Sequence, residues 1–464
     1  MNQSIHTLPQ DARSLERDSF SNAARGLAGE FWPRSPLLWM TAFWILLYVI
    51  RPWEALFPQL AALQVERMYC SLVLVYATVS GLLRLDLSRQ TVAALSLFAA
   101  FYVSSALGIN PARGAESIYK LLVHIAMYLI IISSLRRVED LPFLAFAYVL
   151  AVGLYLGKAE WEYFIHGRHQ WSMGVPRLLG IDLTYRHPNG VGASTVLSLP
   201  FWYFLWRLRL DLFTPAVRYH RFLLLGLKIY PVIAVVAVLL TNSRGSMLGL
   251  LVFGFLSAVG NDFSPKLIKR LLIVGVAAFL FLLFLIPETQ RERLTTLWDD
   301  DAGSTSAHNS AESRLAGAKA GWQMFQRFPL AGVGTGTLQQ YRPIIDGAHQ
   351  EAHNLYGQLL GEFGVIGASA FAFFVLSIFA NLRRAGIAVQ DSEEGDGSLI
   401  DNFALAVRDS LLLLCFFGLG STNYHRFNWY FLAALAAAAA TIAWTMNTGD
   451  RESEVDEVST EAFA

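Results

Sequence analysis

The chain has 464 residues, of which 54% are hydrophobic and only 16% charged, with 36 basic and 36 acidic side chains in balance. An average soluble domain carries about 25% charged residues, and here the apolar residues arrive in blocks of about 17 to 25, the length that crosses a hydrocarbon layer of roughly 30 Å as helix. A soluble enzyme is therefore excluded, and the zero net charge gives no whole-chain attraction to nucleic acid.

In chain order, residues 1–35 form a polar arm with Arg13, Arg17, Arg25 and Arg34 and without a signal peptide, expected in the cytoplasm. Apolar spans are expected near 36–53, 66–83, 91–108, 117–135, 141–157, 188–206, 222–241, 244–260, 267–286, 355–380, 403–420 and 429–446. The expected fold class is thus an all-α polytopic membrane protein of about 12 transmembrane helices. It has one large periplasmic loop between spans 9 and 10. As domains, residues 36–286 carry spans 1–9, residues 287–352 form the loop subdomain, residues 353–446 carry spans 10–12, and residues 447–464 form a cytoplasmic tail. Cys70 and Cys415 lie inside apolar runs, so neither a disulfide framework nor a thiolate metal site is expected.

With the N-terminus inside, the cytoplasmic loops hold Arg84, Arg89, Arg136, Arg137, Arg207, Arg209, Arg218, Arg221, Lys266, Lys269, Arg270, Arg383 and Arg384, as the positive-inside rule requires. The long outer loop contains a polar stretch, Asp299 to Ser313, and then an amphipathic pattern, Leu315 to Phe328, that predicts a helix beside the membrane.

The informative charges are those on the other side. Arg168, Arg177, Arg186 and Arg244 fall in short outer loops or at helix ends, and Arg314 in the long loop; each opposes the insertion bias. Arg244, in TNSRGS (241–246), sits in a tight turn where its planar fork of donors fits phosphate oxygens, although a snorkelling arginine that caps two helices would look the same. PRLLGIDLTYRHPNGVG (176–192) puts Pro188 and Gly190 at a helix start, where the helix terminus adds its own bias toward anions beside Arg177 and Arg186. EAHNLYGQLLGEFGVIG (351–367) puts His353 at the membrane boundary, where an imidazole can accept a proton, with Asn354 beside it; a helix-capping role is the alternative. LAGVGTG (330–336) lacks the GK[ST] ending of a phosphate-binding loop, and no paired ligand spacing calls for a metal. Asp299, Asp300 and Asp301 read as a solvated loop.

Arg177 with HPNG, then SRG around Arg244, then SRLAGAKAGWQMFQRFPLAGVGTG (313–336), then AHNLYGQLLGEFGVIG (352–367), resembles the O-antigen ligase and O-antigen polymerase superfamily of bacterial envelopes over roughly residues 170–380. The RPWE stretch (51–54) is similar to members tied to exopolysaccharide or protein glycosylation. The resemblance implies an inner-membrane glycosyltransferase of lipopolysaccharide or exopolysaccharide assembly. Its donor would be an undecaprenyl diphosphate-linked glycan, its acceptor a hydroxyl on another glycan, a lipid A core or a protein, and its active site would face the periplasm. By motif, Arg177 and Arg244 would hold the diphosphate, joined by Arg186 and Arg314, and His353 would be the general base. The chain reads HPNG where the family more often has an apolar or Gly residue before PN, which makes His187 an accessory candidate together with Asn354. No cofactor or metal is implied, because the lipid diphosphate is already a leaving group, and direct displacement would invert the anomeric carbon. Ligase and polymerase remain open, and a transporter of lipid-linked sugars is the alternative of another class.

Overall fold

A chain in lipid must satisfy its own backbone groups, so apolar blocks of this length fold as helix. The computed structural model describes residues 31–57, 59, 63–172, 175–182, 186–260, 305–389 and 396–461. The first helices are α1 (Pro36–Ile50), α2 (Pro52–Leu56), α3 (Val65–Val79), α4 (Arg89–Leu107), α5 (Pro111–Ser134) and α6 (Asp140–His166). A hairpin, β1 (His169–Ser172) and β2 (Val175–Leu178), leads to α7 (Pro188–Arg207), α8 (Arg209–Leu212), α9 (His220–Leu240) and α10 (Arg244–Val259). Beyond these come α11 (Thr305–Arg327), α12 (Leu338–Ile345), α13 (Leu355–Ala388), α14 (Asp396–Gly418) and α15 (Asn428–Glu461).

Eleven of the expected spans coincide with helices of this set, and the one near 267–286 lies outside the described residues, as do Asp299–Asp301 and most of the N-terminal arm. Among the described residues, 7 helical stretches are long and apolar enough to cross a membrane by length and composition. Large apolar side chains such as Phe222, Leu107 and Leu376 stand exposed on such helices, which suits a lipid surround.

Two helices run furthest past the expected spans. Helix α6 runs nine residues past 157, because Lys158 and His166 pair with Glu162 one turn away on either side and sustain helix in polar sequence. Helix α15 continues to Glu461, so the tail expected from 447 is helical to that residue. The all-α expectation also needs a correction. Gly167, at φ +63, stops α6, and HQWS and VPRL then pair antiparallel with Gln170 opposite Arg177. Strands of four residues give too short an alternation to read beside long apolar runs. The strand carries Arg177 inward, where it is buried.

Helix α13 is broken at Gly364, whose φ of +59 and ψ of −158 leave the helical region. The freed amides of Val365 and Ile366 donate to the carbonyls of Pro329 and Leu330, at 2.8 and 3.2 Å. In return, Val333 and Gly334 donate to the carbonyls of Gly361 and Glu362, and the Ser104 hydroxyl of α4 also donates to the Glu362 carbonyl at 2.7 Å. LAGVGTG is thus a strap over a broken helix. Its glycines are needed there, since a Cβ on Gly332 would meet the Glu362 carbonyl carbon at 2.3 Å. The Glu362 carboxylate closes the strap by accepting from the backbone N–H groups of Gly336 and Leu338.

Helix α11 lies against the first turns of α13 with nothing between the backbones. A Cβ at Gly317 would stand 1.9 Å from the Ala352 carbonyl oxygen, and one at Gly321 would stand 2.0 Å from that of Gly357. Such a small-residue seam allows close approach and fixes the azimuth of α11. Elsewhere the core is aromatic: Phe101 of α4 stacks on Phe363 at 3.8 Å between ring centroids, and Tyr424 packs edge-on to both.

Candidate functional site

Four separate stretches of chain deliver the predicted residues. Arg177 comes on β2, His187 caps α7, Arg314 lies one turn before the glycine seam of α11, and His353 precedes α13. All four line one cavity of about 1030 Å³. Arg51, Arg67, Lys120 and Arg426 line it as well, so six cationic side chains face two carboxylates, Glu66 and Glu351. Four histidines, His124, His187, His353 and His425, share its wall. The chemistry of this lining suits anions, which guanidinium groups bind through charge-assisted, paired hydrogen bonds.

The arginines are seated differently. The Arg177 Nε–H donates to the Thr241 carbonyl at 2.8 Å and its Nη2 to Asn189 Oδ1 at 2.5 Å, while Asn242 donates to the Pro176 carbonyl. Arg51 is buried, pairs with Glu54 at 3.0 Å and Glu66 at 3.7 Å, and lies over the Tyr48 ring. Arg314 packs beside Gly420, and burial lowers its pKa, which still leaves a guanidinium charged at any working pH.

Arg244, Arg186 and Asn354 are not among the residues that line this cavity. Arg244 is the first residue of α10, half-buried, just after the turn whose Thr241 carbonyl receives Arg177. Arg186 is exposed, with its carbonyl bound to the Gly180 amide. Asn354 is the helix cap: its Oδ1 accepts from the Gly357 amide and its Nδ2 donates to the Leu419 carbonyl. Capping therefore falls to Asn354, which leaves the neighbouring imidazole available.

His353 holds φ +49, a left-handed conformation that costs a non-glycine residue about 1–3 kcal/mol and that must be held by its surroundings. Arg51, at φ +46, and Asn242, at φ +50, are in the same state around the same site. The segment before His353 is held by Arg342, whose guanidinium is fully buried, pairs with Asp346 at 2.7 Å and donates to the carbonyls of Gln350 and Glu351. Crowding by protein atoms lowers the His353 pKa, Glu351 raises it, and Arg314 and Arg342 lower it again; one face of the ring remains open to the cavity. The result is a neutral imidazole at neutral pH, a base free to take a proton. His187 is lowered too, by burial first and then by Arg177 and His353, while its Nδ1 accepts from the Asn189 amide. Burial holds His425 at about 4.

Reasoning from sequence missed Arg51, Arg67, Lys120, His124, His425 and Arg426. A signal existed for most of them: under the same topology Arg51, Arg67, Lys120 and Arg426 also belong to the outer ends of spans, where basic residues oppose the insertion bias. Among the described residues, no group of three or more His, Cys, Asp or Glu side chains is gathered to ligate a metal ion.

Apolar helices around a cationic, histidine-walled cavity fit a multi-pass α-helical membrane protein. A family model described as O-Antigen ligase matches residues 229–372, a stretch that includes Arg244, Arg314, Arg342 and His353. Over that stretch, just under a third of its length, the chain is similar to the O-antigen ligase family, which supports a membrane enzyme of the O-antigen ligase and polymerase type. No curated protein sequence matches it.

Proposed function

We propose that the protein transfers a glycan from undecaprenyl diphosphate to an acceptor hydroxyl at the periplasmic face of the inner membrane, with inversion and without a metal. The observation that carries the reading is the cavity of six cations and two carboxylates with a strained, neutral histidine on its wall. A diphosphate leaving group develops negative charge as its bond to the anomeric carbon breaks, and fixed guanidinium groups in a site poor in water stabilise that charge. Arg177 and Arg314 hold the diphosphate, with Arg51, Arg67 and Arg426 completing the field. Arg244 keeps Arg177 in place through the 241–243 turn, and the exposed Arg186 adds an outer contact to the donor. His353 takes the proton of the attacking hydroxyl.

The membrane-embedded protein, given a lipid diphosphate-linked glycan, should release undecaprenyl diphosphate only as a new glycosidic bond forms. Release that is unaffected by Arg177→Ala and Arg314→Ala would refute the site. Deleting the gene separates the two members of the superfamily: single repeats left without a polymer ladder indicate a polymerase, and accumulated lipid-linked polymer a ligase. A transporter would instead leave the donor intact on one face of the membrane.

A further inference from the structure

A second cavity, of about 660 Å³, opens off the first and shares Lys120, Glu351, Thr422 and His425 with it. Its chemistry is different. Two cations, Arg113 and Lys120, face three carboxyl groups, Glu116, Glu351 and Glu362, and four amides, Asn110, Gln339, Gln340 and Gln358, share the remaining polar wall with Ser117, Thr422, Tyr424 and His425. Lys120 is matched by Glu116 at 2.9 Å, so no surplus positive charge is left for a phosphate. The Gln358 Oε1 is buried without a hydrogen-bond partner, and a turn of its amide toward the cavity would let a hydroxyl donate to it. At the junction the Thr422 hydroxyl donates to Glu351 Oε2 at 3.3 Å, two residues before His353.

We propose that this second cavity is the acceptor subsite and that it takes the end of an uncharged glycan. The assignment rests on the glycosyl-transfer reading of the first cavity. The glycan's hydroxyls bind the amides, and its reacting hydroxyl emerges at the Glu351 and Thr422 junction beside the donor. There the hydroxyl oxygen bonds to the anomeric carbon, the bond from that carbon to the diphosphate oxygen breaks with its electron pair leaving on the diphosphate, and the proton passes to His353. The charge contrast selects the substrate: a surplus of cations for the donor's diphosphate, and amides with a slight acidic excess for a sugar without phosphate.

The test uses the full chain in lipid nanodiscs and, as probe, the oligosaccharide freed by mild acid from the lipid-linked glycan of the expressing cells, fitted with a photoreactive diazirine. Crosslinks should fall within residues 110–120 and 336–358, and the double variant Gln339→Ala, Gln340→Ala should weaken labelling about tenfold. Glu116→Lys, at an exposed position where the added side chain meets solvent, should raise labelling by the same oligosaccharide carrying a terminal phosphate. Crosslinks confined to the Arg177 and Arg314 segments, stronger labelling of the unsubstituted protein by the phosphorylated probe, or stronger labelling by a serine-rich peptide would each overturn the assignment. Donor consumption on the same nanodiscs is read separately. If donor is never consumed while the crosslinks persist, the glycosyl-transfer reading fails and the acceptor role with it; if donor is consumed and the crosslinks lie elsewhere, only the subsite is wrong.

Discussion

The Arg177 Nε–H donates to the Thr241 carbonyl over 2.8 Å, so the hairpin that carries one predicted arginine is anchored to the turn that launches the other, Arg244. In the proposed reaction the two act at different ranks. Arg177→Lys keeps a charge but loses the fork that meets Thr241 and Asn189 together, and turnover should fall by more than about tenfold, or about 1.4 kcal/mol of transition-state stabilisation, with weakened donor binding. Arg244→Lys should lower turnover with a smaller effect on donor affinity. Calorimetric donor titrations of the two variants decide the ranking, and the reverse order would return Arg244 to the diphosphate.

His353→Ala should cost about 10²-fold to 10⁴-fold in turnover while donor affinity stays nearly unchanged. Because burial and Arg314 hold the His353 pKa down, the acid limb of activity should have its midpoint below the usual imidazole value near 6.5, with activity lost in acid as the ring protonates. Glu351 pulls the other way, so Glu351→Gln should move the acid limb of the kcat profile to lower pH. A limb that stays in place, or moves up, would separate the base from this imidazole.

Arg342 sets His353 without facing the donor. Arg342→Met leaves Asp346 and two carbonyls without their partner, and should destabilise the folded protein by about 2–3 kcal/mol, below the range for a fully buried broken pair because Asp346 is partly exposed. Thermal unfolding in detergent measures it. A variant as stable as the parent would make the pair incidental.

Gly321→Val forces a side chain into the Gly357 carbonyl and should lift α11, and Arg314 with it, away from α13. Faster proteolysis within residues 305–327 should accompany the loss of transfer, whereas Gly226→Ala, at a position with open space around it, should change neither.

The orientation is checked by fusions. Alkaline phosphatase joined after Ser306 should be active and one joined after Asp396 silent; the opposite pattern would invert the chain and place the cavity in the cytoplasm.

The helices were legible because lipid leaves a chain of apolar residues no other backbone solution. Arg177, Arg314, His187 and His353 were legible because each breaks a rule of charge or polarity at a membrane boundary. Convergence was not: Arg51, Arg67 and Arg426 lie far apart in sequence, and only the packing of α1, α3 and the turn after α14 brings them to one wall. Nor was the rank of Arg244, since a tight turn holding an arginine reads the same whether the fork faces a ligand or the back of a strand. The strained φ of His353 has no sequence signature at all.

The strap over Gly364 has a consequence for biosynthesis. The carbonyls of Pro329 and Leu330 leave the ribosome before the Val365 and Ile366 amides that bind them, so the outer segment must wait for α13 to be made and inserted. Until then its described holds on earlier chain lie at the end of α4 and the start of α5, where the Ile109 amide donates to the Val333 carbonyl, Ser104 to the Ala331 carbonyl and Asn110 to Gln340. The segment and the helix that follows it therefore mature together, and a chain truncated before Gly364 should be cleared by envelope proteases rather than persist as a half-built bundle.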